Sequence, residues 1–330
     1  MLIENKKLLI IDQGALGDFV LKFPAIIRLH NYYDSIDVLC QSGLGRLAVS
    51  LGLIENRYPS EAAYVASLFT DKVDPKIRTL LKQYIKIILF SLSPELEQTI
   101  DQITSKTSCR IAPKPPPHVR KHLTEFVLEN LIDCGLLKKK DSNVEDIPLP
   151  MRKSRPKFVD KVLLHPGAGS TRKRWPMSDF LEVEAILKAH GLKPEFILGP
   201  AEENLLDALT RANRCVHTLT DMVELARLLN SAGGYIGNDS GASHLAAFLG
   251  LPAAVIFGPT DPKRWSPVGR AVTTVRPGLE CRPCFETEPV NCEDPICLEK
   301  TTPQDVIKAF YRVYSRRKGD DVDSPLRYRN

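Results

Sequence analysis

No stretch of this sequence is long and apolar enough to span a bilayer. Its longest apolar runs, such as Lys7–Ile11 and Pro252–Phe257, are strand-length, whereas a spanning helix needs about 20 residues. The amino terminus, Met1-Leu-Ile-Glu-Asn-Lys-Lys, lacks the apolar core and cleavage site of a secretory signal and leads straight into a strand. The expected location is therefore the cytoplasm. Short repeats, heptads and low-complexity tracts are also missing, which argues against solenoids, coiled coils and fibrous proteins. No basic strand studded with aromatic residues is present, so nucleic acid is not an expected partner.

What is present is ordinary globular composition: 43% hydrophobic and 26% charged residues over 330 positions. That length suggests two domains of similar size, each able to bury a core, since domains run to about 100–200 residues. The net charge of +5 is mild. Much of it sits in Arg110–Lys121 and in the tail Arg312–Arg329. Such runs suit an anionic acceptor or a membrane surface, or are simply solvated faces.

Short β-rich runs alternate with helical patterns, the signature of parallel sheets with crossover helices. In the first half, strands are expected at Lys7–Asp12, Ser35–Cys40, Lys86–Ser91 and Ser108–Ala112. Helices are expected from Phe19 to Tyr32, from Pro94, and over His118–Leu137. The charged, proline-bearing stretch Lys138–Pro156 reads as a linker. The pattern then restarts, with strands at Lys161–His165, Pro194–Leu198, Val216–Leu219, Gly234–Gly237 and Ala253–Phe257. A last helix, Pro303–Arg316, is opened by Thr302 as N-cap and Pro303 at its first position. The predicted organisation is an amino-terminal domain over 1–152, a second over 153–302, a helix over 303–318 and a disordered tail over 319–330.

Open α/β sheets bind ligands beyond the carboxyl ends of their strands, and three such turns are chemically unusual. Asp12-Gln-Gly-Ala-Leu-Gly17-Asp18 follows the first strand with glycines spaced G-x-x-G-D, unlike the G-x-G-x-x-G of dinucleotide binders. Asp18 is either a helix cap at the positive end of the dipole or a carboxylate able to take a proton from an attacking hydroxyl. His165-Pro-Gly-Ala-Gly-Ser170-Thr171-Arg-Lys173-Arg-Trp-Pro176 sets small residues, two hydroxyls and three cations ahead of a helix. It could cradle a diphosphate, or be a solvated charge run, and it lacks the Walker pattern. Gly237-Asn-Asp239-Ser-Gly241-Ala242-Ser-His244 opens an apolar helix, with Asp239 or Ser240 able to cap and the Gly241 and Ala242 amides open to an anion. His244 lies one turn into that helix, and Phe257-Gly-Pro-Thr-Asp-Pro262 would shape the same pocket.

Taken in order, GALGDFVLKFP (14–24), HPGAGSTRKRWP (165–176), LGPAEE (198–203), DSGASHLAAFLG (239–250) and FGPTDP (257–262) resemble family 9 glycosyltransferases. These are the ADP-heptose:lipopolysaccharide heptosyltransferases and their relatives, and the resemblance covers residue 6 to about 312. It implies an α/β GT-B fold, two Rossmann-like domains facing across a cleft, with acceptor on the amino-terminal side and donor on the other. It also implies inverting, metal-independent transfer by a monomer, without a cofactor, from a nucleotide-sugar to a lipopolysaccharide-core or related glycan; the basic segments add the expectation of an anionic, lipid-linked acceptor and of peripheral contact with the inner membrane. By analogy Asp18 is the general base, and Lys173 with Ser170 and Thr171 holds the departing diphosphate. Gly241 and Ala242 share the phosphate load, Asp239 and His244 lie near the sugar–phosphate junction, and Glu202 or Glu203 meets the ribose. Gly17, Arg120 and Lys121 are the expected acceptor contacts. One departure is that Gly169 precedes Ser170-Thr171, where the best-known members place two hydroxyl residues directly after Pro-Gly-Ala. The alternatives are a nucleotide-sugar epimerase of the same architecture and a non-catalytic nucleotide-sugar binder.

Of eight cysteines, Cys281, Cys284, Cys292 and Cys297 cluster with a spacing that permits a structural zinc. Reduced thiols or disulfides are the other readings. Cys40, Cys109, Cys134 and Cys215 are scattered, as expected of buried apolar packing.

Overall fold

The structure, a computed structural model, describes residues 6–70, 72–149, 159–278, 283–285 and 296–315. Two compact units divide the chain. The first comprises Met1–Pro148 with Asp221–Val223, the second Leu149–Thr220 with Glu224–Asn330.

In the first unit the elements run β1 (Lys7–Asp12), α1 (Leu16–Val20), α2 (Phe23–Leu29), β2 (Ser35–Cys40), α3 (Ser42–Ser50) and β3 (Arg57–Pro59). They continue with α4 (Ala63–Ala66), α5 (Pro75–Leu81), β4 (Lys86–Phe90), α6 (Pro94–Thr104), β5 (Cys109–Ile111) and α7 (Leu123–Asp133). The five strands pair in parallel in the order β3-β2-β1-β4-β5. The strand order reverses at β1, so the crevice between the ends of β1 and β4 is the switch point where such sheets bind ligands.

The second unit repeats the scheme. Its elements are β6 (Lys161–His165), α8 (Met177–Ala189), β7 (Lys193–Leu198), α9 (Glu203–Arg211), β8 (Val216–Thr218), α10 (Met222–Ser231) and β9 (Gly234–Asn238). After them come α11 (Gly241–Phe248), β10 (Ala253–Ile256), α12 (Pro262–Trp265), β11 (Val272–Val275), α13 (Ile296–Glu299) and α14 (Pro303–Ser315). All six strands are parallel, ordered β11-β10-β9-β6-β7-β8. Its switch point lies between β6 and β9. Here α14 closes one face of the sheet, burying Val306 and Phe310 beside Ile236 and Ile256. At Gly234 an added Cβ would stand 2.5 Å from the Phe310 ring, so glycine is what lets the helix approach the strand.

Several expectations need correction. The helix expected over Phe19–Tyr32 is two helices, because Pro24 has no amide to continue the α1 ladder and instead occupies the first turn of α2. The helix expected over His118–Leu137 is shorter. His122 Nδ1 caps its start by accepting from Thr124 N at 3.2 Å, and Gly135, at φ +71°, follows its end. The edge strands β3 and β11 were not expected at all. Cys109 and Cys134 are joined in a disulfide between β5 and the end of α7, and Cys215 is exposed rather than packed in a core. A spacing of 25 residues could not reveal that the two α-carbons come within 6.1 Å. The tail 319–330 and most of the linker's carboxyl end lie outside the described residues, as do Cys281 and Cys292. Of the four clustered cysteines, Cys284 is partly exposed and Cys297 buried.

Candidate functional site

The loop after β1 is built over a buried ion pair. Asp12, the last residue of β1, accepts from Lys22 Nζ at 2.5 Å, both side chains being 2% exposed, and the ammonium lies 4.4 Å from the Phe90 ring centre at the end of β4. The Gly14 amide donates to the other Asp12 oxygen at 2.6 Å. A Cβ on Gly14 would meet that oxygen at 2.9 Å and Asp18 Cβ at 3.3 Å, so the chain can pass here only without a side chain. The effect is to fix the start of α1, whose first turn carries Gly17 and Asp18. Asp18 keeps 22% of its side chain exposed, and Lys114 Nζ lies 3.6 Å from its Oδ2.

Lys114 belongs to the basic segment between β5 and α7, so that segment does reach the β1 switch point. It does so through Lys114, one of the segment's cations but not one of the two, Arg120 and Lys121, singled out as acceptor contacts, whereas Lys121 pairs with Glu129 at 2.5 Å. The signal for Lys114 was weak, because one lysine among prolines reads as solvated.

In the second unit, Asn238 at the end of β9 ties down the loop that follows β6. Its side-chain Nδ2 donates to Pro166 O at 2.7 Å and its Oδ1 accepts from Trp175 N at 3.1 Å, while Trp175 itself is buried and donates through Nε1 to Thr301 O. Between these anchors, Thr171–Lys173 form a single 3-10 turn. Lys173 extends from it to Asp239 Oδ2 at 2.9 Å, and the same oxygen accepts from Thr260 Oγ1 at 2.8 Å. His244 Nε2 stands 3.7 Å from the other Asp239 oxygen. Burial alone would raise the Asp239 carboxyl, but His244 and the Lys173 charge outweigh it and hold it down at about 2. The Lys173 ammonium also lies 4.5 Å from the Phe285 ring centre, a contact absent from the sequence reading.

The structure thus brings Lys173, Asp239 and His244 together, with Thr260 as an added member. Ser170 is partly exposed and Thr171 exposed at the head of the same turn. Ser240 occupies the N-cap of α11, yet neither it nor Asp239 caps with its side chain. Ser240 Oγ faces His165 Nδ1 at 3.3 Å instead. The Ser243 and His244 amides turn back to Ser240 O. This leaves the Gly241 and Ala242 amides among the N–H groups that a helix start cannot satisfy internally.

Glu202 sits apart from that cluster, 3% exposed. It accepts from Gly199 N at 3.0 Å and from Arg174 at 2.9 Å. Arg174 also donates to Ala168 O and Ala201 O, so Glu202 and Arg174 together clamp the loops after β6 and β7. A Cβ on Gly167 would strike the Glu202 carboxylate. Glu203 is exposed at the start of α9.

The turns of the second unit, though not the one after β1, fall within a family match: the model of glycosyltransferase family 9 (heptosyltransferase) matches residues 102–293, more than half the chain. The chain belongs to glycosyltransferase family 9. Lipopolysaccharide heptosyltransferase 1 of Pseudomonas aeruginosa is 27% identical over 161 residues, 44% of this chain and 45% of that protein, so this match spans under half of the relative's length. Lipooligosaccharide heptosyltransferase 2 of Campylobacter jejuni is 24% identical over 326 residues, covering 90% of this chain and 96% of the relative. Among solved structures, E. coli ADP-heptose lps heptosyltransferase II superposes with a TM-score of 0.73 at 16% identity, over 94% of this chain and 99% of that one. The family 9 glycosyltransferase from Veillonella parvula gives 0.72 at 16% identity over 96% and 99%. The fold is therefore the GT-B fold of these family 9 proteins. Among the described residues, no helix is long and apolar enough to cross a membrane.

Proposed function

We propose that this chain transfers heptose from ADP-heptose to an anionic, lipid-linked glycan of the lipopolysaccharide-core kind, with inversion at the anomeric carbon and Asp18 as general base. The observation that carries the reading is the placement of its reactive groups at sheet switch points. A partly exposed carboxylate stands at the first, and a lysine, a helix start and a buried carboxylate stand at the second. The named relatives, heptosyltransferases that act in lipopolysaccharide or lipooligosaccharide synthesis, support the same class.

In this reading the diphosphate lies against Lys173, the hydroxyls of Ser170 and Thr171, and the Gly241 and Ala242 amides. Negative charge grows on the departing diphosphate, and preorganised cations and amides stabilise it more as it grows. Lys173 leaves Asp239 in part to do so, while Thr260 and His244 keep that carboxylate in place beside the sugar–phosphate junction. Glu202 holds Gly199 and Arg174, giving the ribose a rigid wall. Asp18 takes the proton of the attacking hydroxyl, and Gly17, Lys114, Arg120 and Lys121 supply an anionic acceptor with cationic and backbone partners. The enzyme acts as a monomer on the cytoplasmic face of the inner membrane.

The test is Asp18→Asn, assayed for transfer from ADP-heptose and separately for ADP binding by thermal shift. Transfer should fall at least 100-fold, the usual range for a general base, while ADP raises the melting point as in wild type. Transfer at the wild-type rate would overturn the reading.

A further inference from the structure

A second group of chemically competent side chains lies away from these turns, on the edge of the second sheet. Glu195 is on β7, Cys215 immediately precedes the edge strand β8, and His217 is on it. Phe196 pairs with Val216 and Ile197 with His217 in register, which sets Glu195 beside Cys215. Phe196 and Val216 turn toward the core, so the flanking residues Glu195, Cys215 and His217 share the opposite face. His217 Nε2 lies 2.7 Å from Glu195 Oε2 and 3.9 Å from Cys215 Sγ, and donor atoms of all three fall within 4.8 Å of one another.

The arrangement could serve a thiol nucleophile or a metal ion, and its geometry separates the two. A Cys–His–carboxylate relay needs the thiol and the carboxylate on different ring nitrogens, so that the proton gained at one is balanced at the other. Here a single nitrogen, Nε2, faces both partners, and one donor atom from each of the three residues lies within 4.8 Å of the other two.

We propose that Glu195, Cys215 and His217 form a binding site for a divalent transition-metal ion of the zinc class. Thiolate, imidazole and carboxylate are the donor types such ions take, and three protein ligands with a solvent-filled fourth position are a known coordination pattern. At metal–ligand distances of about 2.0–2.3 Å, the Glu195–His217 contact needs to open only to about 3.3 Å. Binding releases the Cys215 proton to solvent. Lys161 Nζ, 3.2 Å from Glu195 Oε2, must yield that oxygen, and at 26% exposure its side chain can swing out. The ion ties the three-residue strand β8 to β7. Glu195 lies three residues before the end of β7, about 10 Å from the carboxyl ends, so the site is separate from the transfer machinery.

The experiment uses the full chain without a histidine tag, treated with chelator and titrated with Co²⁺, then with Zn²⁺ in competition. Wild type should give a thiolate-to-cobalt charge-transfer band that zinc abolishes. Cys215→Ser and His217→Gln should each bind one cobalt fewer per chain, or bind that equivalent at least tenfold more weakly, with melting points in chelator like wild type. The other clustered cysteines are unchanged in these variants and supply a constant background. Sugar transfer by Cys215→Ser should match wild type. Equal cobalt stoichiometry and affinity in all three proteins would overturn the site, and so would loss in Cys215→Ser without loss in His217→Gln.

Discussion

Lys173 and Asp239 form an ion pair of 2.9 Å in which the carboxylate is almost fully buried and the lysine is one-fifth exposed. The carboxylate is the fixed partner, held also by Thr260. The lysine is the one free to follow a ligand.

Lys173→Ala should lower kcat for transfer by about 10²–10³-fold, the effect of removing one preorganised donor to a developing negative charge. It should also cost about 1–3 kcal/mol of stability, because Asp239 loses a charged partner while remaining buried. Steady-state kinetics and urea denaturation of the same preparation read both. A variant with wild-type kcat would remove Lys173 from the transfer step.

His165 gives a pH dependence of stability. Burial first, and the Arg174 charge second, depress it from 6.5 to about 4. The unfolded chain therefore binds a proton that the folded state refuses. The contribution is fully present above pH 6.5 and is lost as pH falls toward 4, up to roughly 3 kcal/mol at about 1.4 kcal/mol per unit. Denaturation curves between pH 7 and 5, above most carboxylate titrations, should show wild type losing stability and His165→Gln remaining nearly flat. Parallel curves for the two proteins would contradict the assignment.

Gly167 and Glu202 should behave as a coupled pair. Gly167→Ala places a methyl group against the Glu202 carboxylate and should destabilise by about 1–3 kcal/mol, the usual cost of overpacking, with weaker ADP binding. Glu202→Ala alone should also destabilise, since Arg174 loses its charged partner. The double variant should be more stable than the sum of the two effects predicts, because removing the carboxylate vacates the space that the methyl group needs. Strict additivity in a double-mutant cycle would show that the two side chains do not compete for space.

The Cys109–Cys134 disulfide closes a loop that contains Lys114 and the rest of the basic segment. For a separation of 25 residues its removal should cost about 3.5 kcal/mol, since the open chain gains entropy when unfolded. Wild type should lose that much stability in urea on adding reductant, whereas Cys109→Ser/Cys134→Ser should be insensitive to it. A wild type indifferent to reductant would mean that the two thiols are not joined in solution.

The interior strands were legible because a strand covered on both faces must be apolar almost throughout. Lys7–Asp12 and Lys161–His165 read as such, and the structure returns both with the same bounds. The edge strands were not legible for the converse reason. Arg57-Tyr58-Pro59 is short, partly exposed and proline-ended, and Val272–Val275 buries only its last residue, so neither has the pattern of a covered strand. Motifs behaved in the same way. A lysine next to hydroxyls and glycines signals an anion site by composition, but nothing in the spacing announces that Lys173 meets Asp239, 66 positions away.

The amino-acid order was sufficient for the α/β class, the parallel sheets and the glycine-bearing turns at the strand ends, because each depends on residues near one another in the chain: apolar runs and glycine spacing. Tertiary structure alone decided the partners. Lys22 under Asp12 and Lys114 beside Asp18 arise beyond the carboxyl end of β1, Glu202 beneath Gly167 beyond those of β6 and β7, and Cys109 meets Cys134 at the opposite, amino end of β5. A buried charge or a thiol is recognised by whatever group packing sets against it, and that neighbour is chosen by the fold rather than by proximity along the chain.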